Sequence, residues 1–196
     1  WGDTVSPIYL AEMSESGRFA FVTGAKDHLS QVLLYDANFN LIQRFNRASA
    51  VVSLAISNNG RYVAFCGLSS EGGVPACVVE LYRIGAKNAT FSQRFEGELP
   101  TSVQFMDNRY LALITDGATR VMDLEGDVKN EQDLSASALL RTSFAESGCA
   151  LLLEEDALHA TSRLVICDKR GALRCEVSVT GEVRAMALTQ NHVFLL

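Results

Sequence analysis

Apolar and polar positions alternate along this chain in short runs, each bounded by glycine, asparagine, aspartate or serine. Runs of that length, rich in β-branched, aromatic and aliphatic residues, predict strands rather than helices. They fall into sets of four. The first set is predicted at Ile8–Met13, Arg18–Thr23, Gln31–Tyr35 and Leu41–Phe45, the second at Val51–Ile56, Arg61–Cys66, Cys77–Ile84 and Thr90–Phe95. The third covers Ser102–Met106, Arg109–Ile114, Arg120–Leu124 and a poor last member near Asp133–Leu134. The fourth covers Leu139–Phe144, Cys149–Leu153, Arg163–Cys167 and Leu173–Val179, and Val183–Leu188 with His192–Leu196 opens a fifth. No apolar stripe persists at helical spacing. Ser135–Leu140, the best helical stretch, is too short and reads as a linker.

Each set is anchored on a tight turn between its first two runs. The turns are Ser14-Glu15-Ser16-Gly17-Arg18, Ser57-Asn58-Asn59-Gly60-Arg61, Met106-Asp107-Asn108-Arg109, Ala145-Glu146-Ser147-Gly148 and Thr189-Gln190-Asn191-His192. Gly17, Gly60, Asn108, Gly148 and Asn191 stand 43, 48, 40 and 43 residues apart. A period of that size built from four short strands is the signature of propeller blades. The expected fold is therefore all-β, a β-propeller of four-stranded antiparallel blades. Residues 1–196 form one propeller segment, with blades near 7–50, 51–100, 101–137 and 138–182 and a partial blade over 183–196. Gly17, Gly60, Gly148 and Asn108 are expected at positive φ, because a tight strand connection favours a left-handed residue. Two further echoes tie the repeats together. Gln43-Arg44-Phe45 returns 50 residues later as Gln93-Arg94-Phe95, and the third runs end in Leu34-Tyr35-Asp36, Leu81-Tyr82-Arg83, Val121-Met122-Asp123 and Ile166-Cys167-Asp168.

The run Ser57-Asn58-Asn59-Gly60-Arg61-Tyr62-Val63-Ala64, followed by Leu81-Tyr82, resembles WD40-like bacterial propellers, a group that includes those accompanying periplasmic transport proteins and prolyl peptidases. This broad likeness spans residues 7–196. The stretch from Val51 to Leu124 looks most like an uncharacterised family of membrane-anchored bacterial propellers. It rests on the Ser-x-x-Gly-Arg-Tyr turn, the Ser69-Ser70-Glu71-Gly72-Gly73 loop and Val103-Gln104-Phe105-Met106-Asp107-Asn108. The resemblance implies an extracellular or cell-surface propeller, held by a transmembrane helix in a segment preceding this one. It brings no catalytic residues. The Gly-His and Trp-Asp dipeptides of true WD40 repeats are missing, and the single tryptophan is Trp1.

Charge narrows the partners. Seventeen Lys and Arg against 23 Asp and Glu give a net charge of −6, with the cations scattered. Binding to nucleic acid or to an anionic membrane surface needs clustered Lys and Arg, so neither partner is expected. No apolar stretch reaches the roughly 20 residues that span a bilayer. The chain opens on Trp1 and stops inside a repeat, which suggests part of a longer polypeptide. The five cysteines form no CxxC pair and read as small buried apolar residues, with a Cys66–Cys77 disulfide across a hairpin left open.

In a propeller the loops between second and third strands gather at one end, with the connections between blades. Here they are Gly24–Ser30, Gly67–Ala76, Thr115–Thr119 and Glu154–Ser162, three of them longer than a hairpin needs. Excess loop length on rigid blades points to recognition. That end collects Asp27, Glu71, Glu96, Glu98, Asp116, Glu155 and Asp156 against Lys26 and Arg47. A basic protein or cationic small ligand is the expected partner, although acidic loops also serve solubility. Asp27, His28, Glu71, Asp116, Glu155, Asp156 and His159 are the candidate binding residues. Glu154-Glu155-Asp156 with His159 and His28 is the most metal-like group, yet it lacks an Asp-x-Asp-x-Asp-Gly loop or a His pair at ligand spacing, so no metal site is assigned. There is no Gly-x-Ser-x-Gly, Walker loop or Gly-x-Gly-x-x-Gly, and no cofactor or catalytic residue is expected. Two functions fit: a non-catalytic binding or scaffold propeller of a membrane-anchored bacterial ectodomain, or the substrate-gating propeller of a larger hydrolase or periplasmic transport-associated protein.

Overall fold

The computed structural model describes residues 7–196. They form four four-stranded antiparallel sheets and one two-stranded sheet. Blade one is β1 (Ile8–Met13), β2 (Phe19–Thr23), β3 (Ser30–Tyr35) and β4 (Leu41–Arg47). Blade two is β5 (Ala50–Ile56), β6 (Tyr62–Ser69), β7 (Ala76–Arg83) and β8 (Phe91–Glu96). Blade three is β9 (Pro100–Phe105), β10 (Tyr110–Thr115), β11 (Ala118–Asp123) and β12 (Val128–Asp133). Blade four is β13 (Leu139–Ala145), β14 (Gly148–Asp156), β15 (Thr161–Asp168) and β16 (Leu173–Thr180), and β17 (Met186–Leu188) pairs with β18 (Val193–Leu195). Within every blade, neighbours in sequence are neighbours in the sheet. The fold is the β-propeller that the repeat predicts.

First strands lie side by side around the axis, β1 by β5, β5 by β9 and β13 by β17. The Val103 amide of β9 donates to Ser53 Oγ of β5 at 3.1 Å, and the Leu188 amide of β17 to Ser143 Oγ of β13 at 2.8 Å. The cores sit between blades. Val22, Leu34 and Phe45 of blade one pack with Ile56, Val63, Phe65 and Tyr82 of blade two. Ile114 and Val121 of blade three pack with Leu151, Leu153 and Val165 of blade four. A second strand covered on both faces has no solvent side, which explains why Leu111–Thr115 and Gly148–Leu153 are buried without alternation.

The repeated residues are joints. In the Gln-Arg-Phe echo, Gln43 Nε2 donates to the Ala86 carbonyl at 2.6 Å while its Oε1 accepts the Gly85 amide at 3.0 Å. Gln93 Nε2 likewise donates to the Gly126 carbonyl at 2.7 Å. Each glutamine thus clamps the third-to-fourth turn of the next blade. The aspartates of the other echo cap those turns: Asp36 Oδ1 accepts the amides of Asn38 and Asn40, Asp123 those of Glu125 and Asp127, and Asp168 those of Arg170 and Ala172. Arg83 breaks the pattern in blade two, where the turn passes through Gly85 at φ 89°. First-to-second turns are stitched to one another as well. The Arg18 guanidinium donates to the Gly60 carbonyl, the Asn59 amide to Asn108 Oδ1 at 2.9 Å, and Asn58 Nδ2 to Glu146 Oε1 at 2.9 Å. The last of these runs from blade two to blade four.

Some expectations need correction. Gly17 and Gly60 have φ of 77° and 64°, as expected. Asn108 is not left-handed, since Phe39 and Ala160 are the positive-φ non-glycine residues among those described. Its turn is held instead by Asp107 Oδ1, which accepts the amides of Arg109 and Tyr110 at 2.7 and 3.0 Å. Gly148 also has a positive φ, 158°, as expected. Glycine is required there because a Cβ would lie 1.9 Å from the Cys167 carbonyl oxygen. The last strand of blade three is Val128–Asp133, ahead of the predicted Asp133–Leu134. Being the outermost strand and mostly exposed, it needs no apolar alternation, so only Val128 marks it.

The first strand of each four-stranded blade is bulged near its start. Tyr9, Val52, Thr101 and Leu140 are the extra residues, each skipped by the register with its second strand. A bulge bends its strand and adds twist. Its recurrence at one position in four blades makes it part of the repeat, although no composition signal marks it.

Candidate functional site

At the loop end, backbone hydrogen bonds fasten the second-to-third connections of blades two, three and four to the segments that enter and leave those blades. The Gly97 amide donates to the Pro75 carbonyl, Asp116 to Leu99, Leu134 to Gly117, Glu154 to Ala138 and Gly181 to Ala160, at 2.8 to 3.1 Å. Asp27, His28, Glu71, Asp116, Glu155, Asp156 and His159 all belong to this set of connections or their flanks. The loops are shorter than expected where strands run on. β14 extends to Asp156 and β15 starts at Thr161, so the predicted Glu154–Ser162 loop contracts to 157–160. β6 extends to Ser69, leaving 70–75, which includes the 3-10 turn Glu71–Gly73. Two loops therefore exceed hairpin length, 24–29 and 70–75, rather than three.

The acidic residues differ in how far they are committed. Arg120, with its side chain 8% exposed, binds both oxygens of Glu98 at 2.6 and 2.8 Å and reaches Glu131 at 3.1 Å. Its guanidinium covers the Phe95 ring at 4.2 Å. Hydrogen bonds from Arg120 hold the Glu98 carboxyl below its ordinary range, and Thr115 Oγ1 adds another at 2.5 Å. Arg47 is spent in a parallel arrangement. Its Nε pairs with Glu80 at 2.6 Å, and the guanidinium lies over Phe45, Phe65 and Tyr82 and also binds the Tyr82 hydroxyl. Burial first, and Glu80 second, push the Tyr82 phenol up to about 12. Phe45 and Phe95 close the two Gln-Arg-Phe echoes, so each repeat seals its joint with an arginine over that ring.

Asp116 Oδ1 accepts the Leu99 amide at 2.7 Å and so serves its own loop. Asp156 caps 157–160 by accepting the amides of Leu158 and His159, and its other oxygen meets His159 Nδ1 at 2.5 Å. That contact lowers the Asp156 pKa. Glu155 is the extra residue of a bulge, because Glu154 pairs with Ser162 and Asp156 with Thr161. It is thereby turned to solvent and exposed, as are Asp27, His28 and Glu71. The Glu71 backbone carbonyl accepts from Arg94, which fixes the loop while leaving its carboxylate outward. Asp156 and Glu154 line a recess of about 250 Å³ between blade four and residues 181–183 that follow it, together with Arg141 and Glu182. Among the described residues no three His, Cys, Asp or Glu side chains are grouped as metal ligands.

Four of the five thiols occupy blade interiors. Cys66, Cys77, Cys149 and Cys167 are buried and free, and Cys175 is exposed. Cys66 pairs with Val79 and Cys77 with Leu68, which makes the two cysteines diagonal neighbours rather than partners in a bridge. A hydrogen bond with Cys77, then burial, pushes the Cys66 thiol well up.

The sequence matches a family of unknown function, DUF5711, over residues 2–196. The chain belongs to this family. Among curated proteins none is similar in sequence. Solved structures of the same shape are numerous and distant. Kuenenia stuttgartiensis hydrazine synthase aligns with a TM-score of 0.66 at 12% identity, over 94% of this chain and 53% of that one. The Cps50 (Swd1) β-propeller domain of Myceliophteria thermophila aligns at 0.66 and 12% identity, over 96% of this chain and 62% of that one. Raptor of Chaetomium thermophilum gives 0.67 and 12%, over 96% of this chain and 17% of that one. The chain thus spans less than two thirds of each, and identity this low shows the fold alone. No helix of this DUF5711 member is long and apolar enough, among the described residues, to cross a membrane.

Proposed function

We propose that this DUF5711 propeller is a non-catalytic binding module that recognises a basic protein surface through its loop end. The observation that supports this reading most is the pair of long loops, 24–29 and 70–75, built on adjacent blades, the second of them tied down by backbone hydrogen bonds. Their tips expose Lys26, Asp27, His28 and Leu29 on one loop and Glu71 to Pro75 on the other. Rigid blades carrying long, exposed loops are the usual arrangement for a recognition surface. The acids consumed by Arg120 and Asp116's own loop drop out of the recognition set. Asp27, Glu71 and Glu155 remain outward and electrostatically available. We place the module on a membrane-anchored cell-surface protein, a reading that rests on the resemblance of Val51–Leu124 to anchored bacterial propellers. The test is capture of partners from the native host by the domain and by a D27K/E71K/E155K variant. Loss of a salt-sensitive basic partner in the variant supports the proposal, and identical partner sets refute it.

A further inference from the structure

The opposite end of the blades carries the first-to-second and third-to-fourth turns. Around blade four these turns enclose a groove of about 690 Å³, and a recess of about 280 Å³ continues it beneath β17–β18, sharing Ser147, Arg174 and Gln190. Arg109, Lys169, Arg170 and Arg174 line the groove, gathered from two blades. Its three carboxylates already have partners. Asp107 accepts the Arg109 and Tyr110 amides and pairs with Lys169 at 3.3 Å. Asp168 caps its turn through the Arg170 and Ala172 amides, and Glu146 accepts from Asn58 at 2.9 Å. Among the described residues Arg170 and Arg174 form no ion pair; Arg170 lies over the Tyr110 ring, 6.0 Å from its centre.

Arg174 is turned into this position by the backbone. Ile166 pairs with Cys175 and Cys167 with Leu173, so Arg174 is the extra residue of a bulge in β16. Bulges re-aim side chains and recur beside binding sites. The matching bulge residue of blade three, Lys129, folds back onto Asp123 at 2.5 Å, and that of blade one is Ile42. Only in blade four does the bulge present an uncommitted cation to a groove. Guanidinium forks bind oxyanions in two parallel hydrogen bonds, and several of them around one groove suit more than one negative charge.

We infer that this groove binds a soluble phosphate ester or pyrophosphate, with Arg170 and Arg174 gripping the oxyanion and Arg109 and Lys169 at the rim. The proposal is independent of the loop-end reading, since the two surfaces lie at opposite ends of the blades. The test titrates the protein with inorganic pyrophosphate at low salt, by calorimetry and amide chemical shifts. Saturable binding with shifts centred on residues 168–174 is the expected result. R170Q/R174Q should weaken it about tenfold or more, as loss of charge-assisted hydrogen bonds implies. R44Q/K87Q, two exposed cations lost elsewhere, should leave it within about twofold, since distant charges are screened. Equal losses in both pairs, or no saturation, would overturn the inference. Citrate binding as tightly as pyrophosphate would overturn the phosphate class. Sedimentation with phosphatidic-acid vesicles without any response to pyrophosphate would overturn it in favour of a membrane surface. Circular dichroism and melting temperature establish that both variants are folded.

Discussion

Gln93 donates its side-chain amide to the carbonyl of Gly126 at 2.7 Å, across the boundary between two blades. Gly126 is buried, and a Cβ there would lie 2.9 Å from the Phe91 ring. The glutamine and the glycine are therefore fitted to each other. Gln93→Ala leaves the carbonyl without its donor and should lower stability by about 1–2 kcal/mol. Gln43→Ala should cost a similar amount at the preceding joint, and the two losses should add because the sites share no partner. Urea unfolding of the single and double variants measures both.

Glu98→Gln removes the anion that holds Arg120. Glu131 stays within reach, so the loss should sit near the lower end for a broken buried pair, about 3 kcal/mol. The pH dependence has a definite sign. Because Arg120 depresses the Glu98 pKa, the ionised carboxylate stabilises the fold above its ordinary value of 4.5, and this contribution fades as pH falls through the lowered folded value. The melting temperature of E98Q should therefore decline less steeply below pH 4.5 than that of the natural chain. Parallel curves would contradict this.

Two glycines contrast backbone strain alone with strain joined to crowding. Gly72 has φ 81° with nothing within 4 Å of a Cβ, so Gly72→Ala should cost about 1 kcal/mol through conformation alone. Gly148 has φ 158°, and a Cβ there would also strike the Cys167 carbonyl, so Gly148→Ala should cost more, about 3 kcal/mol or beyond. The reverse order in thermal denaturation would show that the hairpin yields.

Cys175 should be the one cysteine that reacts quickly with a thiol reagent in the native protein. Cys66, Cys77, Cys149 and Cys167 are buried, and hydrogen bonding with burial keeps the Cys66 and Cys149 thiols protonated. One fast equivalent is expected, followed by four on adding denaturant. Mass spectrometry of the labelled peptides identifies the fast site.

The blades were readable in advance because turns and apolar runs answer to local rules. Ser57 to Arg61 carries its own hydrogen-bonding residues, and Ser57 Oγ does accept the Tyr62 amide at 3.0 Å. Val128–Asp133 was missed because an exposed outer strand leaves polar residues unconstrained. The loop end was partly legible. Long stretches were visible, but how far β14 runs past Leu153 depends on cross-strand pairing with Thr161 and Ser162. Arg170 and Arg174 looked scattered beside Arg109, and only the packing of blades three and four brings them to one groove. The bulges escaped notice since Tyr9, Val52, Thr101 and Leu140 share no chemistry, only a register position.

The bond from Asn58 to Glu146 joins residues 88 apart in the chain and skips a blade. Its two ends meet only when blade three has docked on both neighbours, so it forms after these three blades have assembled. Lifting any one of three blades severs it. Because the bond is exposed and a side-chain rotation also opens it, it marks the assembled arc of blades two to four without locking it.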